Sequence, residues 1–438
     1  MGSVSSLDVG SLELDYSKGE YYNNHSKLFI PSDYGVIKSE MDEGVLRDEM
    51  GHARTLGDMK LRLELLGYTI NDAQRAYENV LSHYFDDTCL TGFTFDYFRK
   101  VVSSVNIEDL DAFKDNFHLT FHDYIADVVL TQSGFEDIKD LVTTHDDDFS
   151  ALFDRLHPYF IMRLLAENPK NQHVKVMWQT HEIVEAGWVS NDDLYTGVDE
   201  KDKFVCFWNN RNARRKQSGT LIYWWKKFLE KVGHDDLYTG VDEKDKFLII
   251  TEGSSDLFII KHAISLLRPE LADLFTYVDM EDNYPFSGTG NQYKFFQGLA
   301  SIGMQNKCLC IFDNDAEGVE KYHKAVDIKA PSNLKVMKLP DLVEFSDFVT
   351  EGPTGRHNAD VNGKAVAIEC FLDLSFKERL EPFIRWSSYK GDANVYQGAL
   401  EKKGYYLKQF KKVKSLDENY DFSKLNLLLD RIIEVCVS

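Results

Sequence analysis

The chain has 438 residues, of which 43% are apolar and 28% charged, and its formal net charge is −22. That length allows two or three domains with separate cores, and that composition excludes a disordered chain. No apolar run approaches the ~20 residues needed to cross a bilayer, and the acidic balance argues against a nonspecific electrostatic grip on nucleic acid over the whole surface.

The start carries no charged-then-apolar leader, and Met1-Gly2-Ser3-Val4-Ser5-Ser6, although it fits the loose myristoylation pattern, reads as a plain terminus. Residues 1–35 alternate weakly and predict short strands or an irregular cap. From about 40 to 165 the pattern predicts a largely helical region, with one helix from Met59 ending at Gly67 and the next starting at Asn71. His118 and His122 fall on one helical face there. Without a third ligand they read as structural histidines rather than zinc ligands.

Residues 170–234 are Trp-rich, with strand-like runs near 173–179 and 203–209. Arg211, Arg214, Arg215 and Lys216 make the sharpest basic cluster, followed by Tyr223, Trp224 and Trp225. Basic residues beside stacking aromatics suit single strands or loops of nucleic acid, and equally a solvated loop before a core helix. The 13 residues Asp192–Phe204 recur unchanged at Asp235–Phe247, as a recent duplication would leave them, and no function is assigned to them.

From 247 onward strand and helix alternate. Strands are predicted at 247–251, 275–280, 307–313 and 334–339, and helices near 255–267, 291–302 and 316–326. The alternation predicts an α/β fold with a parallel sheet. The last ~95 residues read as a helix near 364–373, an aromatic stretch at 382–389, a basic helix and a C-terminal helix. The expected segments are 1–165, 166–246, 247–345 and 346–438.

Two strands end in carboxylates. Phe-Leu-Ile-Ile-Thr251 runs into Glu252-Gly-Ser-Ser-Asp256, and Lys307-Cys-Leu-Cys-Ile-Phe runs into Asp313-Asn-Asp315-Ala-Glu-Gly318. Carboxylates gathered at the C-terminal ends of neighbouring parallel strands form a hard-oxygen site suited to Mg²⁺ or Mn²⁺, and such a site acts on phosphate. Asp256 reads as a first-turn helix residue with a metal-support role as the sharper alternative. Gly288-Thr-Gly290 is placed to offer backbone N–H groups to a phosphate, or is a plain turn. Glu281 and Asp282 read as loop carboxylates. Lys364 and Glu369 are second-rank candidates for the same crevice, while Arg385-Trp386 and Lys402-Lys403 could clamp a backbone. The six cysteines show no paired spacing, so a reduced, cytoplasmic protein without structural zinc is expected; Cys308 and Cys310 share one strand and read as core.

Glu252-Gly-Ser-Ser-Asp256 followed by Phe312-Asp313-Asn-Asp315 resembles the Toprim domain of topoisomerases, primases and related nucleases, over about 247–345. The resemblance implies a Rossmann-like, mostly parallel four-stranded sheet with flanking helices, preceded here by a largely helical α+β region. It further implies that Asp313 and Asp315 bind the divalent metal, with Glu252 as third ligand or general acid/base. The N-terminal region, through Gly67-Tyr-Thr-Ile-Asn-Asp-Ala, resembles the HEPN/Toprim-associated N-terminal domain. That resemblance implies anti-phage defence and a partner protein from a defence operon. Arg47 and His52 match the Arg-x4-His spacing of HEPN ribonucleases, but too early in the chain, and read as coincidence.

Three functions follow from these residues. A metal-dependent nuclease acting on DNA or RNA is favoured. Topoisomerase-like strand transfer or primase-like synthesis is disfavoured, because no tyrosine sits in a distinguishable motif and the cysteines build no zinc domain. A non-catalytic nucleotide or nucleic-acid sensor is the third, and no phosphate loop of the Gly-x4-Gly-Lys type accompanies it. A homo-oligomer is expected from size and helical content, and no membrane association.

Overall fold

The structure, a computed structural model, describes residues 4–18, 23–41, 45–85, 92–117, 120–179, 240–278, 288–375, 381–391, 394–416 and 419–438. The chain divides into two compact units, Met1–Asp242 and Glu243–Ser438.

Unit 1 opens with a hairpin of β1 (Val4–Val9) and β2 (Leu12–Lys18) turning at Gly10, whose φ of 61° favours glycine. A second ribbon pairs β3 (Tyr34–Met41) with β4 (Val45–Thr55). The last strand, β5 (Lys175–Gln179), lies between β1 and β4, giving the antiparallel order β2-β1-β5-β4-β3. The helical reading from residue 40 therefore fails over the β3–β4 ribbon. Its charged sequence carries little strand signal, but β4 is paired along one side by β3 and, over Gly51–Thr55, along the other by β5. Long-range pairing outweighs local propensity there. Gly51 permits the approach, since a Cβ would stand 2.6 Å from the carbonyl oxygen of Trp178.

Between β4 and β5 the chain is helical as expected: α1 (Leu56–Leu66), α2 (Ile70–Tyr84), α3 (Phe95–Ser104), α4 (Ile107–Phe117), α5 (Phe121–Asp127), α6 (Glu136–Thr144), α7 (Asp146–Arg155) and α8 (Pro158–Leu165). Thr55, Thr69, Thr94 and Thr120 cap four of these by accepting from the third residue of the helix. Helix α1 stops at Gly67, in the left-handed conformation with φ 99°. Trp178 is 2% exposed and packs with Phe29, His25 and His52 against the sheet. The strand-like run at 173–179 is β5, and the run at 203–209 lies outside the described residues.

Unit 2 begins within the second copy of the repeated 13 residues. Its first half alternates: β6 (Phe247–Ile250), α9 (Ser254–Leu267), β7 (Phe275–Tyr277), α10 (Thr289–Ser301), β8 (Lys307–Phe312), the two-residue β9 (Asn314–Asp315), α11 (Ala316–Val326) and β10 (Leu334–Lys338). Strands β6, β7, β8 and β10 form a parallel sheet in the order β10-β8-β6-β7. Strand β8 is buried throughout except at Lys307, which is how a central parallel strand covered on both faces reads in sequence. Cys308 and Cys310 pack into one cluster with Ile250, Phe296, Leu299 and Phe312, beneath α10 and α11.

The second half adds β11 (Phe348–Gly352), β12 (Gly355–Ala359), β13 (Ala365–Val366), β14 (Ile384–Lys390), β15 (Val395–Leu400), α12 (Lys403–Phe410) and α13 (Ser423–Val437). A second sheet forms in the order β12-β11-β14-β15. The helix expected near 364–373 is instead β13, paired antiparallel with β9, followed by a 3-10 turn at Ile368–Phe371. Asn314 and Asp315 present an open backbone edge, and pairing that edge outweighs the helical propensity of Ala-Val-Ala-Ile. Helices α12 and α13 pack on α9, joined by His262 donating to the Val413 carbonyl at 2.7 Å and by the Arg268–Asp430 ion pair at 2.9 Å.

Candidate functional site

Strand order fixes where the site lies. From β6 the chain moves outward to β7, then returns to the other side of β6 to form β8. Between β6 and β8 the crossovers diverge, the position at which open α/β sheets offer their C-terminal strand ends to a ligand. Glu252 follows β6, and Asp313 and Asp315 follow β8, so all three sequence candidates sit at this divergence.

Alternation explains the Asp-x-Asp spacing. Residues 313 and 315 take one side of the extended segment, and Asn314 takes the other, fully buried. Asn314 donates to Asp341 at 2.7 Å and accepts from Gly363 N–H at 3.0 Å and Lys338 at 3.1 Å. It therefore ties the end of β8 to the loop after β10 and to the approach to β13. Gly318, in the first turn of α11, is required by contact: a Cβ there would lie 2.1 Å from the Asp313 carbonyl oxygen.

The carboxylates interact. Burial pushes the Asp313 carboxyl well above its ordinary value, and Asp256, Glu252, Asp315 and Glu369 push in the same direction. Asp256 is likewise raised, by burial first and then by Glu369 and Glu252. Glu252 is raised by burial, Asp315 and Glu317, against a hydroxyl from Thr289 at 2.6 Å that lowers it. Burial and Glu317 raise Asp315, whose Oδ1 caps α11 by accepting from Gly318 N–H at 2.7 Å. The other oxygen of Asp315 accepts from the Gln397 amide at 2.9 Å. Among the described residues, neither Asp313 nor Glu369 receives a hydrogen-bond donor on its carboxylate, and Glu369 is only 3% exposed. These five acidic side chains come from three separate stretches of unit 2, 252–256, 313–315 and Glu369.

The remaining candidates separate. Asp256 serves as the first-turn residue expected, accepting from Gly253 N–H at 3.0 Å, and also belongs to the acidic group. Gly288 starts α10 with φ 91°, whereas Gly290 meets no side chain that a Cβ would crowd. Lys364 pairs its backbone with Asp315, but its ammonium turns to Asp360, 2.9 Å from the carbonyl. Arg385 is held by Glu351 and Glu401 at 2.9 and 2.8 Å, so its guanidinium is already engaged. Arg211, Arg214, Arg215, Lys216, Glu281, Asp282 and His118 lie outside the described residues. His122 packs among Phe121, Phe149 and Phe153, and His52 is a buried ring on β4, not on a helix.

Sequence reading missed Thr289, Glu317, Gln292 and Gln397. Gln292, 1% exposed, donates to the Ile311 carbonyl at 2.7 Å and the Ile250 carbonyl at 3.4 Å, bridging β6 and β8 just below the acidic group. A polar residue at the first turn of α10 was the available signal. Gln397 had none, because its role depends on where β15 docks.

Unit 1 is a mixed fold of a five-stranded sheet and helices. Residues 1–202 match the family model described as HEPN/Toprim N-terminal domain 1. The HEPN/Toprim N-terminal match ends inside the first copy of the repeat, so it covers the described residues 4–179 of unit 1 and none of the acidic site. No curated protein and no solved structure matches the chain. Among the described residues no helix is long and apolar enough to cross a membrane. No three His, Cys, Asp or Glu side chains among them stand close enough to clasp an ion as they are.

Proposed function

We propose that unit 2 is a Toprim-type nuclease that hydrolyses phosphodiester bonds in DNA or RNA with Mg²⁺ or Mn²⁺, in a protein serving anti-phage defence. The observation that carries this reading is Asp313: a half-buried carboxyl with no hydrogen-bond donor among the described residues, surrounded by four further carboxylates at the crevice end of a parallel sheet. Carboxylates that hinder one another's ionisation are stabilised by a divalent cation, and a set of oxygen donors alone selects a hard one. Asp313, Asp315 and Glu252 would hold it directly or through its water shell, since Mg²⁺ keeps several waters and takes one or two carboxylates. Bound there, such an ion neutralises phosphoryl charge and lowers the pKa of water.

The chain's own residues divide the remaining work. Glu252, just after β6 and steadied by Thr289, is either the third ligand or, where it leaves the ion to Asp313 and Asp315, the group that accepts a proton from the attacking water. Asp256 and Glu369 keep the field at Asp313 negative, and Gln397 fixes the rotamer of Asp315. The HEPN/Toprim N-terminal match supports the defence setting, since that domain is named for its place ahead of such modules.

Purified protein incubated with plasmid, single-stranded DNA and tRNA tests the proposal, with Mg²⁺, Mn²⁺ or EDTA in parallel. Metal-dependent product that disappears in Asp313→Asn and Glu252→Gln, both folded, is the expected result. Absence of product in every metal, with a nucleotide-dependent thermal shift instead, would replace the nuclease with the sensor.

A further inference from the structure

The β14–β15 hairpin combines two properties that no other described element shares. One face is fastened to the acidic site: Gln397 donates to Asp315 at 2.9 Å, and Lys390 pairs with Glu317 at 3.5 Å. The opposite face carries a row of aromatic rings. Tyr389 pairs across the hairpin with Tyr396, and Trp386 with Gly398. A bulge between Trp386 and Ser388 shifts the register, so Trp386 and Tyr389, three apart, come to the same face. Ring centroids stand 5.0 Å apart for Tyr389 and Tyr396 and 6.4 Å apart for Trp386 and Tyr396.

Tyr389 is 53% and Tyr396 56% exposed, although large aromatic side chains elsewhere in unit 2 are mostly covered. Trp386 lies against two glycines of the flanking strands, Gly352 and Gly398, where a Cβ would approach the indole to 3.2 and 3.0 Å. The two glycines thus leave the room that the indole takes beside the neighbouring strands. Three rings on one face form a platform, and the other face of the same hairpin reaches the acidic site through Gln397 and Lys390.

Charge selects the occupant. Arg356, Arg385 and Lys390, the Arg and Lys residues of these four strands, are already engaged by Glu351, Glu401 and Glu317. These strands thus offer no unpaired Arg or Lys among the described residues to hold a duplex by its phosphates. Stacking does not need one, because every unpaired base offers a π-face and the contact is tolerant of sequence. A second copy of this chain is a poor occupant, since each brings a net charge of −22.

We propose that the β14–β15 hairpin is a stacking guide that selects unpaired nucleic acid, DNA or RNA, and leads it to the acidic crevice. This inference rests on the nuclease reading for its purpose but not for its test.

The test measures binding in metal-free buffer, where no turnover occurs, using short oligo(dT), short oligo(U) and a duplex of the same length. Wild type is expected to prefer both single strands over the duplex. Tyr389→Ala and Tyr396→Ala should each weaken single-strand binding about tenfold, from the usual worth of a base–aromatic stack, and the Phe variants should restore it. Circular dichroism confirms that the variants fold, and light scattering reports their mass. Equal affinity for duplex and single strand, or unchanged binding in the double Ala variant, overturns the guide. So does a fall in mass in the Ala variants with binding intact, which would make this face a contact between copies. If the tyrosines govern binding but wild type cleaves nothing, the guide stands and the nuclease falls. If Asp313→Asn abolishes cleavage while the tyrosine variants bind as wild type, the reverse holds.

Discussion

Thr289 donates its hydroxyl to Oε2 of Glu252 at 2.6 Å, so the first residue of α10 steadies the carboxylate that follows β6. The bond favours the ionised form of Glu252 against burial, Asp315 and Glu317, all of which oppose it. Thr289→Val keeps the shape and removes the donor. Metal-dependent cleavage is expected to fall about tenfold, the worth of one charge-assisted hydrogen bond, and Thr289→Ser should recover most of it. Equal kcat in the Val and Ser variants would remove Thr289 from the site.

Gly318 meets the Asp313 carbonyl so closely that no side chain fits. Gly318→Ala must push α11 or the end of β8 aside, at about 1–3 kcal/mol for forced overpacking. A lower melting temperature together with lost cleavage is expected. A variant that melts like wild type and cleaves normally would show that the two segments part freely.

Asn314, buried between the two aspartates, satisfies three partners at once. Asn314→Ala leaves the Gly363 N–H and the Lys338–Asp341 pair without it, at about 2–3 kcal/mol. Urea unfolding of unit 2 should shift by that amount, with cleavage falling because Asp313 and Asp315 lose their anchor.

Asp8 on β1 accepts from Ser6 at 2.6 Å, and burial pushes its carboxyl up to about 7. Between pH 4 and 7 the folded chain therefore holds a proton that the unfolded chain has released, and stability falls as pH rises through that window. Asp8→Asn removes this penalty. Its stabilisation should grow from pH 4 and level off above pH 7 at no more than about 3–4 kcal/mol. A constant difference across that range would refute the burial account.

His52 carries the opposite sign. Burial lowers its pKa to about 4, so below pH 6.5 the unfolded chain takes a proton that the folded chain refuses. Stability contributed above pH 6.5 is lost progressively down to pH 4, by about 3 kcal/mol. His52→Phe, which suits the neighbouring Phe29 and Trp178, should flatten that part of the curve. The test is melting temperature against pH for both proteins.

The parallel sheet of unit 2 was legible because burial on both faces writes a continuous apolar run, as in Cys308–Phe312, and because carboxylates directly after such runs have few structural uses. The placement of Glu252, Asp313 and Asp315 at the ends of adjoining strands was therefore readable. Glu369 was readable only as a second-rank candidate, since a helix over 364–373 would have carried it away from Lys364. The β12 strand Gly355–Ala359 was invisible: four of its five residues are exposed, and Arg–Glu pairs and backbone bonds hold it without an apolar face. The β3–β4 ribbon was hidden for a related reason, its partner β5 lying more than a hundred residues further on.

That late arrival of β5 has a consequence for biosynthesis. Until Lys175–Gln179 leaves the ribosome, β1 and β4 face one another across an unfilled slot, each with bare backbone groups. The nascent N-terminal half must wait as two separate ribbons and a set of helices, and a fragment truncated just short of Trp178 should be prone to sticking to its neighbours rather than remaining dissolved.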